Sequence, residues 1–306
     1  MGVIGIDTSN YTTSIAFFDG VGGENCSKLL PVRPGELGLR QSDAVFAHIK
    51  SLPELSGRLF SHIREEITAV GVSTRPRAVE GSYMPCFLVG LSHAKLLSDA
   101  LHAPLVEVSH QQGHVAASLW SAGHLELMEQ PHLAWHLSGG TTELLLVEPE
   151  GKLVKCTKIG GTTDISAGQL IDRTGQLLGL PFPAGRHLDA LSQAAAGKDF
   201  FRVKCKDMTF SFSGMQNKVQ QYFEASGDSA ETAAYALRCV AYGVFRATEQ
   251  ALKAYPGLRV LFSGGEASNS LLRQALEPLN PIFAQPQYST DNAMGVAVLA
   301  SRCTEV

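Results

Sequence analysis

The chain contains no Cys-x-x-Cys pair; its six cysteines, Cys26, Cys86, Cys156, Cys205, Cys239 and Cys303, are scattered. This pattern argues against a zinc knuckle or a disulfide frame and reads as the reduced thiols of a cytoplasmic protein. No uninterrupted apolar stretch reaches the ~18 residues of a membrane span, so no membrane association is expected. The start, Met1 to Asp7, lacks the basic residues and long apolar segment of a secretory leader and reads as a strand. Basic excess is missing too. At a net charge of −4 the chain has no bulk attraction for nucleic acid, and a nucleic-acid substrate would need a local basic patch or a basic partner.

What is present is an ordinary globular balance, with 44% hydrophobic and 18% charged residues over 306 positions, enough for two lobes with separate cores. Val3 to Ile6 and Ser14 to Phe18 are apolar runs around a Thr/Ser-rich tip, a hairpin-like start. Residues 42–70 carry helical periodicity through Val45, Phe46, Ile49, Leu52, Leu55, Leu59, Phe60 and Ile63. Pro53 is expected to divide this stretch into two helices. A strand over 68–73, a helix over 87–101 and a strand over 104–108 follow, an α/β alternation.

The pattern then restarts. Leu133 to Leu137 runs into Ser138-Gly139-Gly140-Thr141, and Glu143 to Val147 forms the next strand. A mostly helical region spans about 164–256, interrupted near 181–214. Arg259 to Phe262 leads into Ser263-Gly264-Gly265, a helix over 270–276 follows, and 291–301 is apolar and helical. The expected organisation is an N-terminal lobe, 1–109, joined by the C-terminal helix 291–306, and a second lobe, 110–290, with the helical insertion at 164–256.

His110 and His114 are spaced to place two imidazoles one turn apart on a helical face. They are close enough to share a metal ion, which takes neutral imidazole nitrogens and usually a carboxylate. A half-buried structural pair is the alternative. Three apolar strands end in small-residue turns: Asp7-Thr8-Ser9, Ser138-Gly139-Gly140-Thr141 and Ser263-Gly264-Gly265. Such turns expose amides and hydroxyls and allow close approach of a ligand to the backbone. Spread over two α/β halves, they suggest a nucleotide held between lobes, as in the actin and sugar-kinase superfamily. Three ordinary turns are the competing reading.

The chain resembles the TsaD family of threonylcarbamoyladenosine tRNA-modification enzymes, once described as glycoproteases. The resemblance is carried by Val89 to Lys95 through His110/His114, by Ser138 to Thr141, by Ala167 to Arg173 with Leu178 to Pro183, and by Phe210 to Gly214. Gly264 to Asn269 and Asp291 to Met294 complete it. It implies an actin-like ATPase fold, two lobes each with a ribonuclease-H-like mixed sheet flanked by helices. It implies one divalent metal, iron or zinc, on His110, His114 and Asp291, a donor set that leaves positions open for a ligand phosphate or carboxylate. It implies an adenine nucleotide (AMP, ATP or the acyl-adenylate) on Leu137, Ser138, Gly139, Gly140, Thr141, the carboxylates Asp172 and Asp189, Gly185 and Asn269. Read without the resemblance, the two aspartates suit a solvated helix face and Asn269 a helix cap. The implied reaction passes threonylcarbamoyl from its AMP adduct to N6 of an adenosine in tRNA, with protein partners of the TsaB/TsaE type or a second copy of the chain. Asp7 and Ser9, at the first turn, are candidate catalytic residues, Asp7 for orienting a water or an amine; a turn-forming role is the alternative for Asp7.

Several positions depart from the family pattern. The first turn, usually Glu-Thr-Ser-Cys-Asp-Glu-Thr, is Asp7-Thr8-Ser9-Asn10-Tyr11-Thr12-Thr13, and a Gly-Pro-Gly loop is replaced by Ser73-Thr74-Arg75-Pro76-Arg77. Thr141 stands for a histidine, Gln169 for an acid, and Gln111-Gln112 for Met-Glu. The ligands and ribose carboxylates survive, while loops expected near the acyl group and acceptor differ. A divergent paralogue that binds nucleotide and metal but acts on another acceptor, or serves as a non-catalytic subunit, is therefore the main rival. A metalloprotease is opposed by Gln111, which stands where His-Glu-x-x-His needs its glutamate. A sugar kinase has no use for the His pair. Arg75 and Arg77 suit a carboxylate or phosphate, or are solvated. Arg202 to Lys206 reads as a strand with one cationic face, either touching tRNA or guarding a sheet edge.

Overall fold

The computed structural model describes residues 1–9, 11–31 and 39–304. Asn10 of the first turn therefore lies outside the described residues. Contacts divide the chain into two compact units. The first comprises Met1–Gln130, Glu148–Cys156 and Asp291–Val306; the second comprises Pro131–Val147 and Thr157–Thr290. The stretch 110–130, which carries the histidine pair, groups with the first unit.

In the first unit a five-stranded sheet has the order β3-β2-β1-β4-β5, from β1 (Gly2–Thr8), β2 (Thr12–Phe18), β3 (Gly23–Leu29), β4 (Ile67–Arg75) and β5 (Leu105–Ser109). The first three strands are antiparallel neighbours, while β1, β4 and β5 run parallel. The helices of this unit are α1 (Gln41–Phe60), α2 (Phe87–Leu101), α3 (His110–Ser121) and, from the C-terminal segment, α9 (Met294–Thr304). Strands β1 and β2 are buried along their whole length, as a sheet covered on both faces requires. Gly5 and Gly71 are register partners, and each faces α9. A Cβ on Gly5 would lie 2.5 Å from the Ala293 carbonyl oxygen, and one on Gly71 2.8 Å from the Ala300 Cβ. Glycine at both positions lets α9 lie directly on the strand backbones.

Pro53 does not divide α1, which is one continuous helix. Proline removes one backbone hydrogen bond, but Pro53 is exposed, and the stripe His48, Leu52, Leu55 and Leu59 is buried on both sides of it. That continuous packing face holds the helix across the break. Phe46 and Ile49, expected on the apolar face, point outward and are exposed.

The second unit holds a mixed six-stranded sheet of order β11-β10-β6-β7-β8-β9. The strands are β6 (His132–Leu137), β7 (Thr142–Glu150), β8 (Leu153–Thr162), β9 (Thr209–Phe210), β10 (Val260–Ser263) and β11 (Ile282–Phe283). Its helices are α4 (Ala167–Leu177), α5 (Gly185–Ser192), α6 (Ser213–Ser226), α7 (Ser229–Ala254) and α8 (Ser270–Leu276). Trp135, Phe210, Phe212, Phe262 and the inner face of α7 form its core. Helix α5 falls inside the interruption expected near 181–214; it is only eight residues long, too short to show a firm period in sequence. Arg202 to Lys206 is not a strand. Val203 is buried between exposed Arg202 and Lys204, so the alternation is real, but the only ladder contact of that stretch among the described residues is a bridge from Lys206 to Thr209.

Candidate metal and nucleotide site

The first group of site residues belongs to the first unit. Helix α3 begins where Ser109 caps it. The Ser109 hydroxyl accepts from the Gln112 amide at 3.2 Å, and the Gln112 side chain accepts from the Ser109 amide at 2.8 Å. This reciprocal capping box satisfies two free helix-end donors. Gln112 also donates to the Val154 carbonyl at 2.7 Å. Gln112, one of the two departures from the family pattern in the histidine motif, is thus a buried structural clasp. The Gln111 amide donates to the Pro76 carbonyl at 3.0 Å, which docks the 74–77 loop on the helix start. Arg75, the last residue of β4, is half-buried and Arg77, just beyond it, is exposed.

With the helix so fixed, His110 and His114 face each other with Nε2 atoms 3.0 Å apart. Asp291, just before α9, places Oδ1 3.1 Å from His114 Nε2 and 3.4 Å from His110 Nε2. Among the described residues these three form the one cluster of metal-donor side chains. A triangle with edges of 3.0, 3.1 and 3.4 Å matches three donors sharing one cation at about 2.1 Å. The residues therefore fit a divalent ion, and two imidazole nitrogens with a single carboxylate suit iron or zinc over magnesium or calcium. Burial alone would raise the Asp291 carboxyl; hydrogen bonds from the two histidines outweigh it and hold the group well below the usual carboxylate range. Burial opposes the charged form of His110 as well, and the charges of Asp7 and Asp291 override it and push the ring well above its ordinary value.

Asp7 is fully buried at the end of β1. Its carboxylate accepts from the Ser73 hydroxyl and lies 3.0 and 3.2 Å from His110 Nδ1. Thr8 turns the other way, donating to the Cys86 carbonyl at 2.9 Å and accepting from the Gly90 amide at 3.1 Å, which seats α2. Ser9 is buried and its hydroxyl is without a partner. Nearby, buried His48 pairs through Nδ1 with the Thr13 hydroxyl at 2.8 Å. Ser73 and His48 were not singled out from sequence; only their strand-end and helix-face positions could have suggested them.

The second group lies in the second unit. Ser138 to Thr141 is a closed turn in which the Ser138 amide donates to the Thr141 carbonyl at 2.8 Å and the Thr141 amide to the Ser138 hydroxyl at 3.1 Å. Leu137 precedes it, fully buried. Nothing lies within 4 Å of where a Cβ would stand on Gly139 or Gly140, so the turn is open on that side. Gly264 adopts a φ of +93°, and a Cβ there would overlap the Leu137 carbonyl. The second Gly-Gly turn is thereby laid against the first. Helix α4 abuts the same turn: Ser166 donates to the Gly139 carbonyl at 2.5 Å, and a Cβ on Gly168 would overlap the Gly139 Cα. Gln169, another departure, closes a capping box with Ser166.

The carboxylates expected at the ribose make internal contacts. Asp172 accepts from the Ala184 amide at 2.8 Å, which holds the start of α5. Asp189 accepts from the Ser270 hydroxyl at 2.6 Å and from Asn269 Nδ2 at 3.1 Å. Asn269 also caps α8, its Oδ1 accepting from the Leu272 amide at 2.9 Å. The cap reading and the link to Asp189 hold together. Glu266, which sequence reasoning passed over, stands against Gly185, 3.3 Å from where its Cβ would be. Burial and then the charge of Asp172 push the Glu266 carboxyl up to about 7.

Comparison with known proteins bears on both groups. A family model described as TsaD, tRNA N6-adenosine threonylcarbamoyltransferase, matches residues 41–298. The tRNA N6-adenosine threonylcarbamoyltransferase of Carboxydothermus hydrogenoformans is 34% identical over 76% of this chain and 70% of its own length. That of Streptococcus suis is 34% identical over 69% of this chain and 62% of its own length. Among solved structures, component A of the Acidaminococcus fermentans (R)-2-hydroxyglutaryl-CoA dehydratase superposes over the whole of both chains with a TM-score of 0.60 at 15% identity. A Streptomyces griseus ROK family glucokinase, in complex with glucose and AMPPNP, covers 99% of this chain and all of its own at a TM-score of 0.56 and 11% identity. The fold is that of the actin-like ATPase and sugar-kinase superfamily. The chain belongs to the TsaD family of tRNA N6-adenosine threonylcarbamoyltransferases.

Proposed function

We propose that the protein transfers a threonylcarbamoyl group from its AMP adduct to N6 of an adenosine in tRNA. The observation that carries this reading is the convergence of His110, His114 and Asp291 within 3.4 Å in a chain of this family. In the transfer, the adenosine N6 attacks the carbamoyl carbon, a C–N bond forms, the bond from that carbon to the phosphate oxygen breaks, AMP leaves and N6 gives up a proton. Leu137, the open turn Ser138 to Thr141, Asp172, Gly185, Asp189 and Asn269 would bind the nucleotide part. The glycines admit the phosphate close to the backbone, and the carboxylates accept from the ribose hydroxyls. Iron or zinc, held by His110, His114 and Asp291, would supply a Lewis acid for an oxygen of the adduct. Ser9, whose buried hydroxyl is unpartnered at the end of β1, is the candidate for a direct contact with the reacting groups. Asp7, with both oxygens engaged, would act through His110.

Net charge of −4 gives no general pull on tRNA, so a local basic patch or a basic partner would have to hold it; partner proteins of the TsaB/TsaE type, or a second copy of the chain, are part of the proposal. No helix among the described residues is long and apolar enough to cross a membrane. The test is transfer itself. Unmodified tRNA and threonylcarbamoyl-AMP are supplied to the purified protein with iron or zinc, and the digested nucleosides are analysed by mass spectrometry. Threonylcarbamoyl-adenosine is the expected product. Loss of the adduct with unchanged tRNA, in the presence of candidate partner proteins, would overturn the reading.

A further inference from the structure

We propose that Asp7, held by Ser73, is the outer carboxylate of the metal site: it fixes the tautomer and ring plane of His110 so that Nε2 faces the cation. This rests on the reading of His110, His114 and Asp291 as ligands. The geometry is one-sided. The ring has Asp7 on Nδ1, at 3.0 and 3.2 Å, while Nε2 points toward His114 and Asp291. Asp7 lies where it accepts from Nδ1, and a proton held there leaves Nε2 as the ring nitrogen that faces the cation. A carboxylate behind a ligating imidazole also makes it a stronger donor.

Asp7 is in turn held in place. It is fully buried, and the Ser73 hydroxyl, also fully buried, donates to Oδ1, the oxygen 3.2 Å from His110 Nδ1. Ser73 sits on β4, the parallel neighbour of β1, so two adjacent strand ends supply the pair. Asp7 is itself a departure from the family pattern, an aspartate where a longer glutamate is usual. With 0% exposure and its oxygens turned to Ser73 and His110, Asp7 is a positioning residue that acts through His110.

The experiment is zinc affinity by competition with a chromophoric chelator. It is measured on the full chain stripped of metal, for the wild type, Asp7→Ala and Ser73→Ala, with AMP affinity followed in parallel. We expect Asp7→Ala to bind zinc about 10–100-fold more weakly, Ser73→Ala to lose less in the same direction, and AMP affinity to be unchanged. Zinc affinity in Asp7→Ala equal to the wild type overturns the proposal and leaves the ligand reading standing. Absence of zinc binding by the wild type overturns both. Should Asp7→Ala also lose AMP binding, marking a folding failure, Ser73→Ala decides, and an affinity equal to the wild type then overturns the proposal.

Discussion

Gly295 lies against the carbonyl of Gly113: a Cβ on Gly295 would overlap that oxygen and stand 2.7 Å from the Ala117 amide. This contact is where α9 crosses α3, and it sets the distance between Asp291, four residues before the crossing, and the histidines that flank Gly113 in sequence. Two glycines thus bring a carboxylate from the end of the chain to within 3.4 Å of both imidazoles.

Gly295→Ala is expected to push the helices apart. The overlapping atoms are backbone and cannot move aside as a flexible side chain would. We expect a loss of about 1–3 kcal/mol of stability, the ordinary cost of overpacking, with a loss of zinc affinity. Thermal melts and chelator competition check both.

His114→Ala removes one corner of the donor triangle and nothing from the second unit. Zinc binding is expected to be lost while AMP affinity stays at the wild-type value, read by calorimetry. A parallel loss of AMP binding would mean that the histidine supports the nucleotide directly.

Ser109→Ala breaks the capping box that starts α3 at His110. The expected cost is about 1 kcal/mol of stability, measured by urea denaturation. A weaker zinc site should accompany it, because the first turn of the helix carries His110.

Glu266 gives a pH signature. A freely exposed glutamate titrates near 4.5, and burial with the charge of Asp172 raises it to about 7 in the folded chain. Between those values the folded state holds the extra proton, so its contribution to stability is full below 4.5 and is lost as pH rises through 7. Glu266→Gln is always neutral. Its melting temperature relative to the wild type should therefore rise between pH 5 and pH 8, and a constant difference would contradict the assignment.

Much of this was legible in sequence, because each strand run ends in a turn of small residues and the histidine spacing states its own geometry. The strands β1, β4, β6 and β10 and the helix over 87–101 stand where the pattern put them; the spacing paired His110 with His114, and Asp291, which only the family resemblance supplied, lies beside them. What was hidden depends on contacts between distant segments. Pro53 looks like a break until the buried stripe around it is seen. Gln112 and Gln169 look like lost acids, yet each closes a helix cap. Ser73, 66 residues from Asp7, carries no local signal of its partner.

The most direct measurement is anomalous scattering at the iron and zinc edges from crystals of the metal-loaded protein. The account predicts a single peak about 2.0–2.2 Å from His110 Nε2, His114 Nε2 and an Asp291 oxygen, with Asp7 still behind His110. A metal bound elsewhere, or Asp291 turned away from the two imidazoles, would contradict it.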